Sequence, residues 1–143
     1  MFLVPTNKER TAKMILGLGC DIINIERIAK SPQFLERFKQ KILGSEEQDE
    51  LDSRGAITYK ELACRLAKSY AAKEAFVKAL GTGFRDGIFL KDIQILHTDW
   101  GKPELFVSGM AFTYLQRLSV TAQTFVTLSD DYPFAQAVVV IEK

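Results

Sequence analysis

The sequence has few of the residue types that build metal clusters. Among its 143 residues are only two cysteines and one histidine. Cys20 and Cys64 lack the spacing of zinc ligands, and His97 alone cannot complete a four-ligand cluster with them. A zinc cluster is therefore excluded. The simplest expectation is that both cysteines are reduced, buried thiols in a cytoplasmic protein.

The chain also lacks long hydrophobic runs and a strong charge of one sign. No stretch approaches the roughly 20 apolar residues that a membrane-spanning helix needs. Residues 1–13 carry four charged side chains after a short apolar start, which is unlike a signal peptide. A net charge of +1 gives no electrostatic reason to expect nucleic acid. We therefore expect a cytoplasmic protein that binds neither membranes nor nucleic acids.

Two common nucleotide-binding motifs are missing as well. Gly17-Leu18-Gly19 follows an apolar run, but the dinucleotide-binding fingerprint requires a third glycine where this chain has Ile22. No Gly-Lys-Ser/Thr sequence occurs, so the phosphate-binding loop is excluded too. A better explanation is that these glycines bring the backbone close to something near Asp21.

What is present fits one compact domain, since 47% of the residues are hydrophobic and 26% are charged. An apolar run over residues 14–23 predicts a first strand that ends at Asp21, behind an N-terminal extension of residues 1–13. Capping residues, helical spacing and period-two alternation predict the remaining elements. These are helices from Ser31 to Gly44, from Ser45 to about Leu51, from Tyr59 to Leu80 and from about Gly109 to Ser119, and strands at residues 93–97, 104–107, 123–128 and 135–141.

The predicted helix at residues 59–80 is the most informative element, because charged residues interrupt a stretch too apolar for a surface helix. It contains no Pro or Gly, and Gly81 supplies its end. Two apolar stripes leave little of its circumference for solvent, so we expect it to be mostly buried. Lys73, Glu74 and Lys78 nevertheless lie within it. Buried charges are costly unless they are paired or metal-bound, which favours a functional role.

Each of these features also has a plain structural explanation. Glu74 and Lys78 have the i,i+4 spacing of ordinary surface pairs, which contribute only about 0.2–0.5 kcal/mol. The Gly81-Thr82-Gly83 turn lets backbone N–H groups approach an anion, but a helix C-cap would explain at least Gly81. Asp21 either caps its strand or the following turn, or shares a divalent cation with a carboxylate on the neighbouring helix.

Two motifs about fifty residues apart carry a resemblance to a known family. The first is Gly17-Leu18-Gly19-Cys20-Asp21-Ile22 with Arg27 six residues after the aspartate, and the second is Ala71-Ala72-Lys73-Glu74-Ala75 running through Lys78 to Gly81-Thr82-Gly83. From about residue 14 to residue 142 the chain resembles holo-[acyl-carrier-protein] synthase, the short single-domain group of the 4′-phosphopantetheinyl transferase superfamily. The stretches 99–103 and 126–129 look like this family as well.

The resemblance implies a fold and a reaction. The fold is the α+β phosphopantetheinyl transferase fold, in which a small antiparallel sheet packs on a long buried helix, here as a single domain over residues 14–143. The reaction moves the phosphopantetheine arm of coenzyme A to a serine of apo acyl carrier protein and releases adenosine 3′,5′-bisphosphate, in fatty acid biosynthesis. A non-catalytic homologue that binds coenzyme A or a carrier protein is the alternative.

The resemblance also implies roles for individual residues. Asp21 and Glu74 match the family's magnesium-binding carboxylates, and we expect Glu74, directly or through a metal-bound water, to accept the serine proton. Lys78 matches a lysine thought to meet the pyrophosphate, and Lys73 matches one that contacts coenzyme A. The Gly81-Thr82-Gly83 turn is expected to shape the seat of the nucleotide.

Carrier docking and assembly follow from the same resemblance. Family members grip the acidic carrier protein with a basic, partly apolar helix near the N-terminus. Arg27 and Arg37, beside Phe34 and Phe38, are the matching candidates, although basic residues on one helix often only face solvent. Family members are commonly trimers with coenzyme A in clefts between subunits, so we expect a homotrimer.

The chain departs from the family pattern at one position. Where many members carry a histidine before the Val-Thr-Leu stretch, this chain has Phe125. His97 lies elsewhere, and its pattern is that of a half-buried strand residue. A mechanism that needs an imidazole base is therefore in doubt for this protein, which favours Glu74 as the base.

Overall fold

The computed structural model describes residues 12–143, so the N-terminal extension predicted for residues 1–13 falls almost wholly outside the described residues. Helices and strands are mixed along the chain, as expected for an α+β fold. They are β1 (Ile15–Asn24), a 3₁₀ turn (Ile25–Arg27), α1 (Pro32–Ile42), α2 (Ser45–Ser53), α3 (Tyr59–Leu80), a second 3₁₀ turn (Leu90–Asp92), β2 (Ile93–His97), β3 (Pro103–Val107), α4 (Gly109–Leu118), β4 (Gln123–Asp131) and β5 (Phe134–Glu142).

The strands form two antiparallel sheets. One has three strands in the order β1-β5-β4, and the other is the β2-β3 hairpin. The long helix α3 packs against the three-stranded sheet, and 12 of its 22 residues are buried. The predicted α+β fold and the buried long helix are therefore confirmed. In the described part of the chain, no helix combines the length and apolar character needed to cross a bilayer, and the cytoplasmic location stays a prediction.

Strand β1 continues past the point where the sequence predicted its end. It pairs with β5 from Ile15 to Asn24, so Asp21 lies within the strand, opposite Ala137. Asn24 then ends the strand, and its side chain accepts a hydrogen bond from the backbone N–H of Glu26 at 2.9 Å. The prediction that the strand ends at Asp21 is wrong. The length of β1 is set by its partner strand β5, whose paired residues lie 110 to 127 positions away in the sequence.

The two glycines of β1 allow the strand to lie directly against the backbone of α3. A Cβ atom at Gly19 would lie 1.8 Å from the carbonyl oxygen of Ala75, and one at Gly17 would lie 2.1 Å from that of Ala79. No real side chain tolerates such distances, so only glycine permits this approach. The part of the protein that these two glycines approach is therefore helix α3.

This close contact gives a stability prediction. We expect Gly19→Ala to destabilise the protein by about 1–3 kcal/mol or more, because the added methyl group meets rigid helix backbone rather than a movable side chain. Gly55→Ala is the comparison, since nothing lies within 4 Å of its added Cβ and only its positive φ of 76° opposes the change. Urea unfolding followed by circular dichroism measures both. Equal stability of the two variants would contradict the close contact between β1 and α3.

The strand register also corrects the expectation for the cysteines. Gly19 faces α3, so its neighbour Cys20 faces outward and is exposed, whereas Cys64 is half-buried. Neither side chain is fully buried as the sequence suggested. Both thiols are free, with no disulfide between them.

Candidate active site

The seam between β1 and α3 brings together three residues that the sequence singled out. The Lys78 ammonium donates to Asp21 Oδ1 at 2.8 Å and to the carbonyl oxygen of Cys20 at 3.0 Å. Glu74 lies one helical turn before Lys78 on the same side of α3. The Lys78 side chain is 51% exposed and that of Asp21 is 17% exposed. Strand β1 supplies the Asp21 carboxylate, and helix α3 supplies the Glu74 carboxylate and the Lys78 ammonium.

The negative charges around Lys78 stabilise its protonated form. The hydrogen bond to Asp21, and then the negative charges of Asp21 and Glu74, raise the pKa of Lys78 above its ordinary value, while slight burial opposes them. The ammonium is therefore charged at neutral pH. Within residues 12–143 it donates to two oxygens, which leaves one of its three N–H groups for a ligand.

Tyr70 lies one helical turn before Glu74 on the same side of α3. Burial, and then the nearby Glu74 carboxylate and the charge of Asp21, raise the pKa of Tyr70 to about 12, while the positive charge of Arg27 works in the opposite direction. Tyr70 therefore lies within electrostatic range of both carboxylates and of Arg27. The i,i+4 spacing of Tyr70 and Glu74 was the sequence signal that could have revealed it.

The donor set of this cluster limits the cation it suits. Among the described residues, no group of three or more His, Cys, Asp or Glu side chains could hold a metal ion. Asp21 and Glu74 supply carboxylate oxygens, which hard cations prefer. Magnesium in particular keeps several waters and takes other ligands from substrate phosphates, so one or two protein carboxylates suffice for it. The residues present therefore fit a magnesium site shared with a phosphate-bearing substrate.

Lys73 lies on the other side of the helix, in the core. Its side chain is 0% exposed, and its ammonium donates to Glu47 Oε2 at 2.7 Å, to the carbonyl oxygen of Leu90 at 3.2 Å and to that of Ile42. Burial lowers the pKa of Lys73, and the Glu47 carboxylate opposes this shift. All three N–H groups are used inside the protein. The expected contact with coenzyme A conflicts with this arrangement, and we assign Lys73 a structural role.

Glu47 is the centre of this buried network. Its two carboxylate oxygens also accept hydrogen bonds from the backbone N–H of Gly44 at 2.9 Å, the backbone N–H of Ile95 at 3.0 Å and the hydroxyl of Ser69 at 2.9 Å. It therefore ties the start of α2 to strand β2 and to α3. No local sequence pattern indicates this role of Glu47, because Ser69, Lys73 and Ile95 lie 22, 26 and 48 residues away in the sequence.

The Gly81-Thr82-Gly83 turn has a different role from the one that its composition suggested. Its three backbone N–H groups donate to carbonyl oxygens at the end of α3, namely those of Lys78 and Val77, at 3.0–3.2 Å. Gly81 has the positive φ of 79° that is common at the ends of helices. A cradle of free N–H groups for an anion is therefore wrong, because the cap uses all three. Contact between this turn and coenzyme A stays a prediction.

The predicted docking residues lie on and before α1. Arg27 and Arg37 are exposed, whereas Phe34 and Phe38 are half-buried. The rings of Phe34 and Phe38 are stacked with centroids 6.5 Å apart, and Phe38 meets the edge of Tyr70 at 5.4 Å. The apolar part of the predicted docking surface is therefore continuous with the carboxylate cluster.

A cleft lies apart from this cluster. It is a cleft of about 550 Å³ between α2, α3 and the β2-β3 hairpin, and its lining includes Lys60, Arg65 and Lys68. His97 lies at its edge as a half-buried strand residue, with Nδ1 3.0 Å from Glu50 Oε2, in agreement with the structural explanation of this histidine. None of Asp21, Glu74 and Lys78 lines this cleft.

Known proteins resemble this chain over most of its length. The model of the 4′-phosphopantetheinyl transferase superfamily matches residues 17–137. A holo-[acyl-carrier-protein] synthase of Dinoroseobacter shibae is 42% identical over 132 residues, which cover 90% of this chain and 91% of that protein. The protein of the same name from Erythrobacter litoralis is 44% identical over 133 residues, covering 90% and 97%.

A solved structure shows the same fold. The holo-(acyl-carrier-protein) synthase of Bacillus anthracis, in complex with CoA (3′,5′-ADP), superposes with a TM-score of 0.73 and is 33% identical, covering 91% of this chain and 98% of that one. Similar sequence over nearly the whole length is thus combined with a similar fold. The chain belongs to the 4′-phosphopantetheinyl transferase superfamily.

Proposed function

We propose that this protein transfers the 4′-phosphopantetheine group from coenzyme A to a serine of apo acyl carrier protein, as a holo-[acyl-carrier-protein] synthase of fatty acid biosynthesis. The observation that carries the proposal is the meeting of Asp21, Glu74 and Lys78 at one half-open seam. Phosphoryl transfer depends mainly on positioning and on neutralising charge at phosphoryl oxygens. Two carboxylates for a cation and one ammonium for an anion meet that requirement.

The reaction assigns a task to each of these residues. The serine oxygen forms a bond to the phosphorus that bears pantetheine, and the bond from that phosphorus to adenosine 3′,5′-bisphosphate breaks. Asp21 and Glu74 would hold Mg²⁺, which when bound neutralises charge on the pyrophosphate oxygens. The remaining N–H of Lys78 donates to a pyrophosphate oxygen. Glu74 accepts the serine proton, consistent with the absence of a histidine from this cluster among the described residues.

The test of this function is direct. Apo acyl carrier protein is incubated with the chain, coenzyme A and Mg²⁺, and the carrier is weighed by mass spectrometry. We expect the mass increment of one phosphopantetheine group, and no increment when EDTA replaces Mg²⁺. An unmodified carrier in the complete mixture would reject the enzyme and leave a binding protein. Transfer at full rate in EDTA would reject the magnesium site alone.

The basic surface around α1 is the proposed contact with the acidic carrier. We expect Arg37→Glu to raise the KM for the carrier protein about tenfold or more and to leave the KM for coenzyme A within about twofold, because Arg37 is exposed and reversing its charge opposes electrostatic steering. Steady-state kinetics with each substrate varied in turn measures both constants. Arg117→Glu on α4 is the matched control. Unchanged constants in Arg37→Glu would show that the carrier docks elsewhere.

The outer face of the three-stranded sheet supports a homotrimer. Leu18 and Ile22 on β1 are 66% and 62% exposed, and Phe125 on β4 and Phe134 on β5 are 45% and 48% exposed. The register places Leu18 and Phe125 on either side of Val140, so these three side chains form an apolar row across the sheet, whereas Ile22 lies opposite Gln136. A monomer rarely exposes such a face, and further copies of the chain would cover it. Light scattering after size exclusion should give three times the chain mass of 16.1 kDa, and a monomeric mass would contradict the trimer.

A further inference from the structure

The Lys78 ammonium is bound to a carboxylate oxygen that a divalent cation would also use. It donates to Asp21 Oδ1 at 2.8 Å and to the backbone carbonyl oxygen of Cys20 at 3.0 Å. Asp21 is one of only two carboxylates in the proposed metal site, and its side chain is 17% exposed. A positive charge of the protein itself therefore already lies on one of the two proposed metal ligands.

The Lys78 side chain is free to leave this position. It is 51% exposed, and a flexible four-carbon chain carries its ammonium. The Lys73 side chain, by contrast, is 0% exposed, and its ammonium is held by Glu47 and by two backbone carbonyl oxygens in the core. Ion pairs that are half exposed contribute little to stability, so the bond between Lys78 and Asp21 can be given up at small cost.

The charges at this position favour one cation at a time. A divalent cation and the Lys78 ammonium together carry three positive charges, whereas Asp21 and Glu74 together supply two negative ones. Like charges this close to one another repel strongly where the surroundings are only partly solvated. The two carboxylates therefore neutralise a divalent cation alone, and the ammonium needs another anion once such a cation is bound.

We propose that Lys78 and a divalent cation compete for Asp21, so that Lys78 leaves the carboxylate when the cation binds and moves to an anion of the substrate. In the proposed function that anion is the pyrophosphate of coenzyme A, so this second step rests on the proposed function. The competition for Asp21 does not rest on it.

The alternative is that Lys78 stays on Asp21 and only orients its carboxylate. Donors that orient a metal-binding carboxylate strengthen metal binding, and their removal typically costs about 10–100-fold in metal affinity or activity. Competition predicts the opposite sign, because removal of the ammonium also removes the competing charge. Metal affinity without the ammonium therefore distinguishes the two roles.

The test measures Mn²⁺ binding by the full chain without substrate, from the electron paramagnetic resonance signal of the free ion. We expect Lys78→Met to bind Mn²⁺ about tenfold more tightly than the wild type, which lies within the usual range of coupling between two ligands. Lys78→Arg keeps the positive charge and should stay within about threefold of the wild type. Equally tight binding by the Met and Arg variants would show that the charge of Lys78 is not the cause.

The chain offers a matched control on the same helix. Lys68 also pairs with an aspartate, at 2.7 Å from Asp130 Oδ1, but it lies ten residues before Lys78, which is roughly 15 Å along a helix. We expect Lys68→Met to keep the wild-type affinity for Mn²⁺. Equal tightening in Lys68→Met and Lys78→Met would mean that only the net charge of the protein matters, and would overturn the competition.

A second titration with coenzyme A present tests the move of Lys78 to an anion. Coupling between two ligands is reciprocal, so an anion that draws Lys78 away from Asp21 must strengthen Mn²⁺ binding. We expect coenzyme A to raise the Mn²⁺ affinity of the wild type at least about fivefold more than that of Lys78→Met. A titration of coenzyme A without protein gives the background. An equal effect on both proteins would overturn this second step.

The outcomes separate this inference from the proposed function. If Lys78→Met binds Mn²⁺ within twofold of the wild type, more weakly, or not at all at millimolar concentrations, the competition is overturned. If the wild-type protein transfers nothing to the carrier protein, the proposed function fails. The Mn²⁺ affinities measured without substrate then still decide whether Lys78 competes for Asp21.

Discussion

Replacing Glu74 by glutamine should reduce transfer by about 10³-fold or more while leaving the fold intact. Glutamine keeps the shape of the side chain but removes the negative charge that a cation needs and the basicity that a serine proton needs. A metal ion contributes several kcal/mol to charge stabilisation in the transition state, and each 1.36 kcal/mol corresponds to a factor of ten in rate. The rate is measured by mass spectrometry of the carrier protein, and the fold by circular dichroism.

The control for this variant is Glu104→Gln, which makes the same change at an exposed position on β3. It should transfer at the wild-type rate. Since Glu74 is only half-buried, we expect Glu74→Gln to unfold at nearly the wild-type urea concentration. Turnover in Glu74→Gln within a few-fold of wild type would show that the acceptor of the serine proton and the cation site lie elsewhere.

Replacing Lys73 by methionine should have the largest effect on stability, about 3–5 kcal/mol of the free energy of unfolding. The change leaves the Glu47 carboxylate, whose side chain is 3% exposed, without its cation in the core. Methionine fills a similar volume, so the loss reports mainly the unpaired charge and the freed carbonyl oxygens of Ile42 and Leu90. Urea unfolding measures it.

Lys68→Met is the control on the same helix. Lys68 also forms an ion pair, with Asp130 Oδ1 at 2.7 Å, but its side chain is 29% exposed. Partly solvated pairs contribute little, so we expect a loss below about 1 kcal/mol. The double variant Glu47→Gln/Lys73→Met should lose clearly less than the sum of the two single losses, because the unpaired charge is gone. Additive losses would mean that the Glu47–Lys73 pair is not the source of the effect.

Much of the local structure was predictable because its signals lie within a few residues of each other. Thr58 and Glu61 form reciprocal hydrogen bonds at the start of α3, and Gly81 ends it, so the sequence predicted both of its bounds correctly. Ser31 caps α1 with a single bond, in which its hydroxyl accepts from the backbone N–H of Phe34 at 3.1 Å. The two motifs around Asp21 and Glu74 likewise identified the family by residue identity and spacing.

Other features depended on partners that only the fold brings together. Lys73 and Glu74 are adjacent in the sequence and both looked functional, yet a helix points successive side chains about 100° apart. One meets Glu47 in the core, and the other faces the seam with β1. The contact between Tyr70 and Phe38 could not be predicted from a local pattern, because Phe38 lies 32 positions earlier in the sequence.

The sequence by itself determined the elements, their caps and the family, because these depend on short-range spacing and on residue identity. The tertiary structure alone decided which charged side chains remain available to a substrate. That choice depends on long-range packing, namely the approach of Gly17 and Gly19 to α3 and the pairing of β1 with β5. Lys73 is buried with its partner Glu47 and cannot contact a substrate, whereas Lys78 lies at the partly exposed contact between β1 and α3 and can.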